Sequence, residues 1–122
     1  MQPRRMRFIK YWLPVIIYAI FIFSLSAIPG SDIPKIFSYQ DVIFHFIEYA
    51  IFAWLINRAL LAENLGLGRF KRFVWVFLIS FIYASSDEFH QAFVPGRCPS
   101  ILDVFIDCLG AAIGSILYQW PK

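Results

Sequence analysis

Two adjacent carboxylates, a histidine and a glutamine lie together in residues 87–91, directly after an apolar run over residues 73–83. Asp87 and Gln91 are four residues apart and share one face of a helix, whereas Glu88 points elsewhere. Paired carboxylates in a low-dielectric medium do not both ionise readily, so one would serve as an acid and the other as a base. Asp87, Glu88 and His90 are therefore candidate catalytic residues. The alternative is a water interface at which both carboxylates pair with Arg97.

A second stripe of titratable residues precedes it in the chain. Asp41, His45 and Glu48 follow the spacing i, i+4, i+7 and share one helix face. Such a line suits proton transfer or metal coordination, with His45 as a further candidate acid. The alternative is a hydrogen-bond clamp between helices, with Asp41 at the helix end.

A third stripe combines acids with small residues. Asp103, Asp107, Gly110 and Gly114 follow i, i+4, i+7, i+11. Small residues four apart let helix backbones approach closely in lipid, so we interpret both glycines as packing residues. A glycine stripe that faces a neighbouring helix would carry both aspartates into the same interface.

Arg97 follows Pro95-Gly96 and has two possible roles. A guanidinium binds a phosphate or carboxylate through two parallel hydrogen bonds, which would make Arg97 a ligand-binding residue. Charge compensation is equally compatible with the sequence, since four acids lie close by in the chain: Asp87, Glu88, Asp103 and Asp107.

The sequence does not predict a cofactor, but a divalent metal is an alternative. Imidazole and carboxylate ligands suit zinc, manganese or iron. No established ligand spacing is present, and neither Cys98 nor Cys108 belongs to a metal-type pair. The candidate metal ligands are His45, Glu48, Asp87, His90 and Asp107.

The composition indicates a membrane protein. Of 122 residues, 60% are hydrophobic, and the mean hydropathy is +0.65. Four apolar stretches, at about 12–28, 41–62, 73–93 and 101–120, predict an all-α, integral membrane four-helix bundle. The first stretch is longer than a signal-peptide core, so we predict a retained helix. Nucleic-acid binding is not expected despite the net charge of +3, because the basic residues flank apolar segments.

The positions of the basic residues predict an orientation. Only Lys35 and Arg97 lie on one side of the membrane. The other nine basic residues lie on the side of both termini: Arg4, Arg5, Arg7, Lys10, Arg58, Arg69, Lys71, Arg72 and Lys122. We therefore place both termini in the cytoplasm. Seven of the eight acids then fall in the outer half. We predict a ligand-binding pocket there from nine residues: Asp41, His45, Glu48, Asp87, Glu88, Gln91, Arg97, Asp103 and Asp107.

The chain resembles the VanZ-like family of bacterial multi-pass membrane proteins. The resemblance is carried by Asp41-x3-His45-Phe46-x2-Tyr49, by residues 86–97, by the stripe from Asp103 to Gly114, and by Ser-x-x-Pro at residues 26–29. It implies one transmembrane domain over 1–122, a bacterial plasma membrane location and an association with teicoplanin (glycopeptide) resistance. Family members often have lysine where this chain has Val42 and asparagine where it has Asp107.

Three functions are compatible with the sequence. In the first, the pocket binds a cell-wall precursor, a lipid headgroup or a glycopeptide and changes the accessibility of that ligand, and Arg97 binds an anionic group on it. Alternatively, the chain is an enzyme on an envelope lipid or peptidoglycan intermediate, with a carboxylate base and a histidine acid. A proton-coupled carrier is the third, less favoured because no apolar run is interrupted.

Overall fold

Four long helical segments make up most of the computed structural model, which describes residues 3–119 and contains no strand in that range. The first helix is Arg4–Ser26, the second Gln40–Ala62, the third Arg69–Gln91 and the fourth Ile101–Gln119. The prediction of an all-α chain is confirmed. The first helix, the second helix and Ile101–Tyr118 of the fourth are long and apolar enough to cross a membrane.

Two helices differ from their predicted bounds. The first begins at Arg4 instead of 12 and ends at Ser26 instead of 28, and the third runs over Arg69–Gln91 instead of 73–93. Basic residues precede the apolar run in both cases, and the helix includes them because arginine and lysine are good helix formers. The predicted end of the fourth helix at residue 120 lies outside the described residues, as do Trp120 and Lys122.

The first helix stays continuous through a proline because its early turns are widened. Phe8–Trp12 is a π-helical segment, and Pro14 lies at the start of the regular helix that follows. Proline has no N–H to bond the carbonyl of residue i−4, which here is Lys10. The Arg58 guanidinium donates to that carbonyl at 3.3 Å and lies over the Tyr11 ring, 4.7 Å from its centroid. The second helix thus satisfies the acceptor that the proline leaves open.

The second and fourth helices touch through their backbones. A Cβ built on Gly110 would overlap the carbonyl oxygen of Phe46, and one built on Gly114 would overlap that of Ala50. The small residues of the glycine stripe therefore lie directly against the second helix. This contact fixes both the distance between the two helices and their register.

The two loops at one end of the molecule are in main-chain contact. The Gly30 amide donates to the Pro95 carbonyl at 2.9 Å, and a Cβ on Gly30 would overlap the carbonyl oxygen of Gly96. Gly96 has φ +76°, a value that glycine adopts without strain. Loops 27–39 and 92–100 thus lie together, and we call this end of the bundle the acidic end. There the Ser100 hydroxyl accepts from the Asp103 amide at 3.1 Å and so caps the start of the fourth helix.

A second polar cluster lies at the opposite end. Asn57 is fully buried, donates to the Ser115 carbonyl at 3.2 Å and accepts from the Arg72 guanidinium at 2.7 Å. Close by, the Trp12 indole donates to Glu63 at 3.0 Å. The core between the two ends is mainly apolar. Its fully buried hydrophobic residues are Ile22, Tyr49, Ala53, Ile56, Ala59, Val76, Ala84 and Ala111. Many large apolar side chains point outward, which suits a lipid environment.

We expect Gly110→Ala to destabilise the protein, because the added methyl group would meet backbone atoms that cannot rotate away. The expected loss is about 1–3 kcal/mol of unfolding free energy, typical of an overpacked interface. Thermal unfolding of the detergent-purified protein measures it as a lowered midpoint. Gly68→Ala is a control for the exchange itself, since nothing lies within 4 Å of a Cβ there, although Gly68 is the N-cap of the third helix and alanine is a poorer cap. A midpoint of Gly110→Ala equal to that of the wild type would contradict the close contact.

Candidate functional site

A buried clamp joins the first and third helices at the acidic end. The Ser26 hydroxyl donates to Asp87 Oδ2 at 2.7 Å, and the Gln91 amide donates to the Ser26 hydroxyl at 3.2 Å. Asp87 and Gln91 are each 2% exposed. They do share a helix face, and that face is turned towards the first helix. Asp87 Oδ1 is buried and has no hydrogen-bond partner in the described part of the chain.

A second buried contact joins the second and fourth helices. His45 Nδ1 lies 2.8 Å from Asp107 Oδ1, and Asp107 is 0% exposed. Gly110 follows Asp107 by three residues on the same face, so the close backbone contact brings the aspartate within reach of the imidazole. Asp107 Oδ2 has no hydrogen-bond partner within residues 3–119.

Glu88, on the third helix, approaches these residues from a different side. One carboxylate oxygen accepts from the Ser100 amide at 3.1 Å, at the start of the fourth helix. The other, Oε1, is buried without a partner among the described residues. Ligand atoms of Glu88, His45 and Asp107 lie within 4.8 Å of one another. Three helices therefore bring an imidazole and two carboxylates together.

This group differs from the candidate metal ligands of the sequence analysis. His45 and Asp107 belong to it, and Glu88 takes the place of three residues that do not. His90 instead stacks on Phe23, with ring centroids 4.1 Å apart. Asp87 is held by Ser26, and Glu48 lies along the second helix.

Arg97 bonds to main-chain carbonyls. Its Nη1 donates to the carbonyls of Ile28, at 2.9 Å, and Leu25, at 3.3 Å, where the first helix ends. The structure pairs it with none of the four carboxylates considered for charge compensation, at least within the described residues. Both bonds use Nη1, which leaves the other guanidinium donors for a ligand.

Two adjoining clefts open at the acidic end. The first, which we call the polar cleft, has a volume of about 380 Å³ and is lined by charged and polar groups, among them Lys35, Asp41, His45, Gln91, Arg97 and Asp103. The second, the apolar cleft, has a volume of about 460 Å³ and lies between the first and second helices, lined by Tyr18, Phe21, Leu25, Phe44, Ile47 and Glu48 among others. Asp41, His45 and Arg97 belong to both walls.

The nine predicted pocket residues therefore fall into three groups. Five of them line the polar cleft: Asp41, His45, Gln91, Arg97 and Asp103. Asp87, Glu88 and Asp107 are buried between helices, and Glu48 lines the apolar cleft. Two polar partners in this arrangement, Ser26 and Ser100, were not among the predicted site residues. Ser26 carried a signal, since it begins the Ser-x-x-Pro segment, but an apolar helix offers little reason to single out one serine.

Comparison with protein families gave one match, to the family model described as VanZ/LLP1, over residues 8–121. Comparisons with curated proteins and with solved structures found no match. The matched range includes the first helix from Phe8 onward, the other three long helices and every residue that lines the two clefts.

Removal of the Ser26 hydroxyl tests the clamp. We expect Ser26→Ala to lower the unfolding free energy by about 1–3 kcal/mol, because a buried carboxylate then loses its donor. Thermal unfolding in detergent measures the change. Ser24→Ala, at an exposed position of the same helix, is expected to stay within about 0.5 kcal/mol of the wild type. If both variants unfold like the wild type, the clamp does not stabilise the fold.

Proposed function

The chain belongs to the VanZ/LLP1 family of membrane proteins, and from this premise we propose that its acidic end binds a phosphate-bearing lipid headgroup, as carried by an anionic lipid or a lipid-linked cell-wall precursor. The observation that carries the proposal is the junction of the two clefts at Asp41, His45 and Arg97. An amphipathic lipid needs a polar and an apolar compartment side by side, and this end of the molecule supplies both.

Two cations offer an anionic headgroup a place to bind, although Asp41 and Asp103 line the same polar cleft. Of the eleven Lys and Arg residues, Lys35 and Arg97 are the two assigned to this side, and both line the polar cleft. Arg97 is held in place by two carbonyls while its remaining donors are open to a ligand. A fixed guanidinium in a partly dry site binds phosphate more strongly than a mobile surface lysine does.

The proposal places this cleft on the outer side of a bacterial plasma membrane, with four crossings and cytoplasmic termini. Three helices have the length and composition of membrane spans. The second helix ends at the opposite end from where the fourth begins, and the third helix connects them over 23 residues, or about 35 Å. A chain whose second and fourth helices cross the membrane therefore needs the third to cross as well.

Binding of this kind connects the chain to glycopeptide resistance. A protein that holds the headgroup of a lipid-linked cell-wall precursor changes how accessible that precursor is to teicoplanin at the outer surface. The same result would follow from direct binding of the glycopeptide, and the headgroup is favoured because the apolar cleft opens between two helices that face lipid.

An enzyme acting on the same class of lipid is the second candidate function. It is favoured by the group of His45, Glu88 and Asp107, in which an imidazole and two carboxylates come together beneath the polar cleft. In such an enzyme His45, which reaches the cleft wall, would be the residue able to transfer a proton to a bound headgroup. Asp87 lies outside this group, on the helix face turned towards Ser26.

Cys98 allows the orientation to be tested with the native sequence. It is an exposed free thiol in the loop 92–100. We expect a membrane-impermeant maleimide to label Cys98 in intact spheroplasts, and the label to be lost in Cys98→Ser. Labelling only after the membrane has been broken would contradict the proposed orientation.

Binding of a soluble short-chain lipid tests the function. We expect the detergent-purified protein to bind dihexanoyl phosphatidic acid in preference to dihexanoyl phosphatidylcholine. Arg97→Gln should weaken binding about 10-fold to 100-fold, the loss of a charged hydrogen bond. Lys35→Gln, at an exposed position without a role in helix capping, should weaken it about 2-fold to 5-fold.

Lys71→Gln is the matched control, because this exposed lysine lies at the opposite end of the third helix. It should bind like the wild type. Equal affinity of the wild type for both lipids, or unchanged affinity in both cleft variants, would contradict the proposal.

A further inference from the structure

Three side chains from three different helices meet beneath the polar cleft. His45 comes from the second helix, Glu88 from the third and Asp107 from the fourth, and ligand atoms of all three lie within 4.8 Å of one another. His45 also lines the polar cleft. The group is thus closed off by helices on most sides and reachable from the cleft on one.

The buried oxygen atoms of this group lack partners. Asp107 is 0% exposed and Glu88 6% exposed, yet Asp107 Oδ2 and Glu88 Oε1 have no hydrogen-bond donor within residues 3–119. An unsatisfied buried polar atom costs about 1–3 kcal/mol, and more when it is charged. Two such oxygens in one site, on two carboxylates that lie close together, indicate that a positively charged group belongs between them.

The three ligand atoms lie close enough to hold one small divalent cation after small shifts. Metal bonds to imidazole nitrogen and carboxylate oxygen are about 2.0–2.2 Å long, so neighbouring ligands of one ion lie about 3.0 Å apart in octahedral and about 3.4 Å apart in tetrahedral geometry. The observed 2.8 Å between His45 Nδ1 and Asp107 Oδ1 is slightly shorter than either separation, and the limit of 4.8 Å for the whole group is longer, so the ligands would adjust on binding. The same contact is compatible with a hydrogen bond in the metal-free protein.

We propose that His45, Glu88 and Asp107 form a binding site for a divalent transition metal, Zn²⁺ or Mn²⁺. One imidazole and two carboxylates are a mixed nitrogen and oxygen donor set that both ions accept, whereas Mg²⁺ favours oxygen ligands and retains its water. Three protein ligands leave a coordination position open towards the polar cleft. The charge of the ion also offsets that of two carboxylates in a helix bundle within the membrane.

The site stands independently of the proposed headgroup function, because the experiment uses the metal alone. The full-length protein is purified in detergent, stripped with a chelator, dialysed against Zn²⁺ or Mn²⁺ in separate samples, and its metal content measured by mass spectrometry. We expect one ion per chain and a rise of the unfolding midpoint on metal addition that the chelator reverses. The ion that gives the larger rise identifies the preferred metal.

Variants assign the bound ion to its ligands. We expect Glu88→Gln and Asp107→Asn to weaken metal binding at least 10-fold and to abolish the rise in unfolding midpoint. His90→Gln and Glu63→Gln are the controls, since His90 lies at the same end outside the group and Glu63 lies at the opposite end, and they should retain the ion.

Three outcomes would overturn the proposal. A wild-type protein that takes up neither ion and unfolds at the same temperature with and without them has no such site, and this result needs no variant to fold. Wild-type metal content in both ligand variants would overturn it as well. So would an equal loss in the controls, which would mean that the metal is not held by these three residues.

Discussion

The contact on which the acidic end depends is the meeting of two helix backbones. Gly110 and Gly114 let the fourth helix lie directly on the carbonyls of Phe46 and Ala50. Only at this spacing does Asp107 reach His45, and only then does the start of the fourth helix place the Ser100 amide on Glu88. Small residues are the means by which helices associate in lipid, where no hydrophobic effect drives them together. In this chain they also assemble the site.

Burial of charge explains why so many side chains at this end are bound to other helices. A carboxylate in a membrane requires internal partners, and each of the three most buried acids has one from another segment: the Ser26 hydroxyl for Asp87, the Ser100 amide before the fourth helix for Glu88 and the His45 imidazole for Asp107. Each of them also retains one oxygen without a partner in the described residues. The polar interior is thus sufficient to hold the helices together and still open to a cation.

Periodicity predicted the parts of the site that lie on one helix. The spacing of four between Asp87 and Gln91 placed both on one face, and the glycine stripe predicted close packing in the same way. Contacts between helices could not be read in this manner. The sequence shows that Glu88 points away from Asp87, but nothing in a single chain indicates that Glu88 lies beside Ser100, His45 and Asp107.

Arg97 is predicted to bind an acid or an anion and instead bonds to carbonyls at the end of a helix, which have no signature in the sequence. The first and third helices begin earlier than predicted for a related reason. Basic residues before an apolar segment are compatible with both a loop and a first helical turn.

The contact between Gly30 and the Pro95-Gly96 turn, beside the opening of the polar cleft, is made by main-chain atoms and not by side chains. Backbone atoms hold the two loops together at this point, so the contact itself does not depend on the side chains around it. Side chains that line the cleft, such as Lys35, Tyr39 and Asp103, are exposed or half-buried and do not belong to the packed core. Under the proposed headgroup function, exchange of these wall residues would change selectivity for one headgroup over another while the scaffold that presents them stays the same.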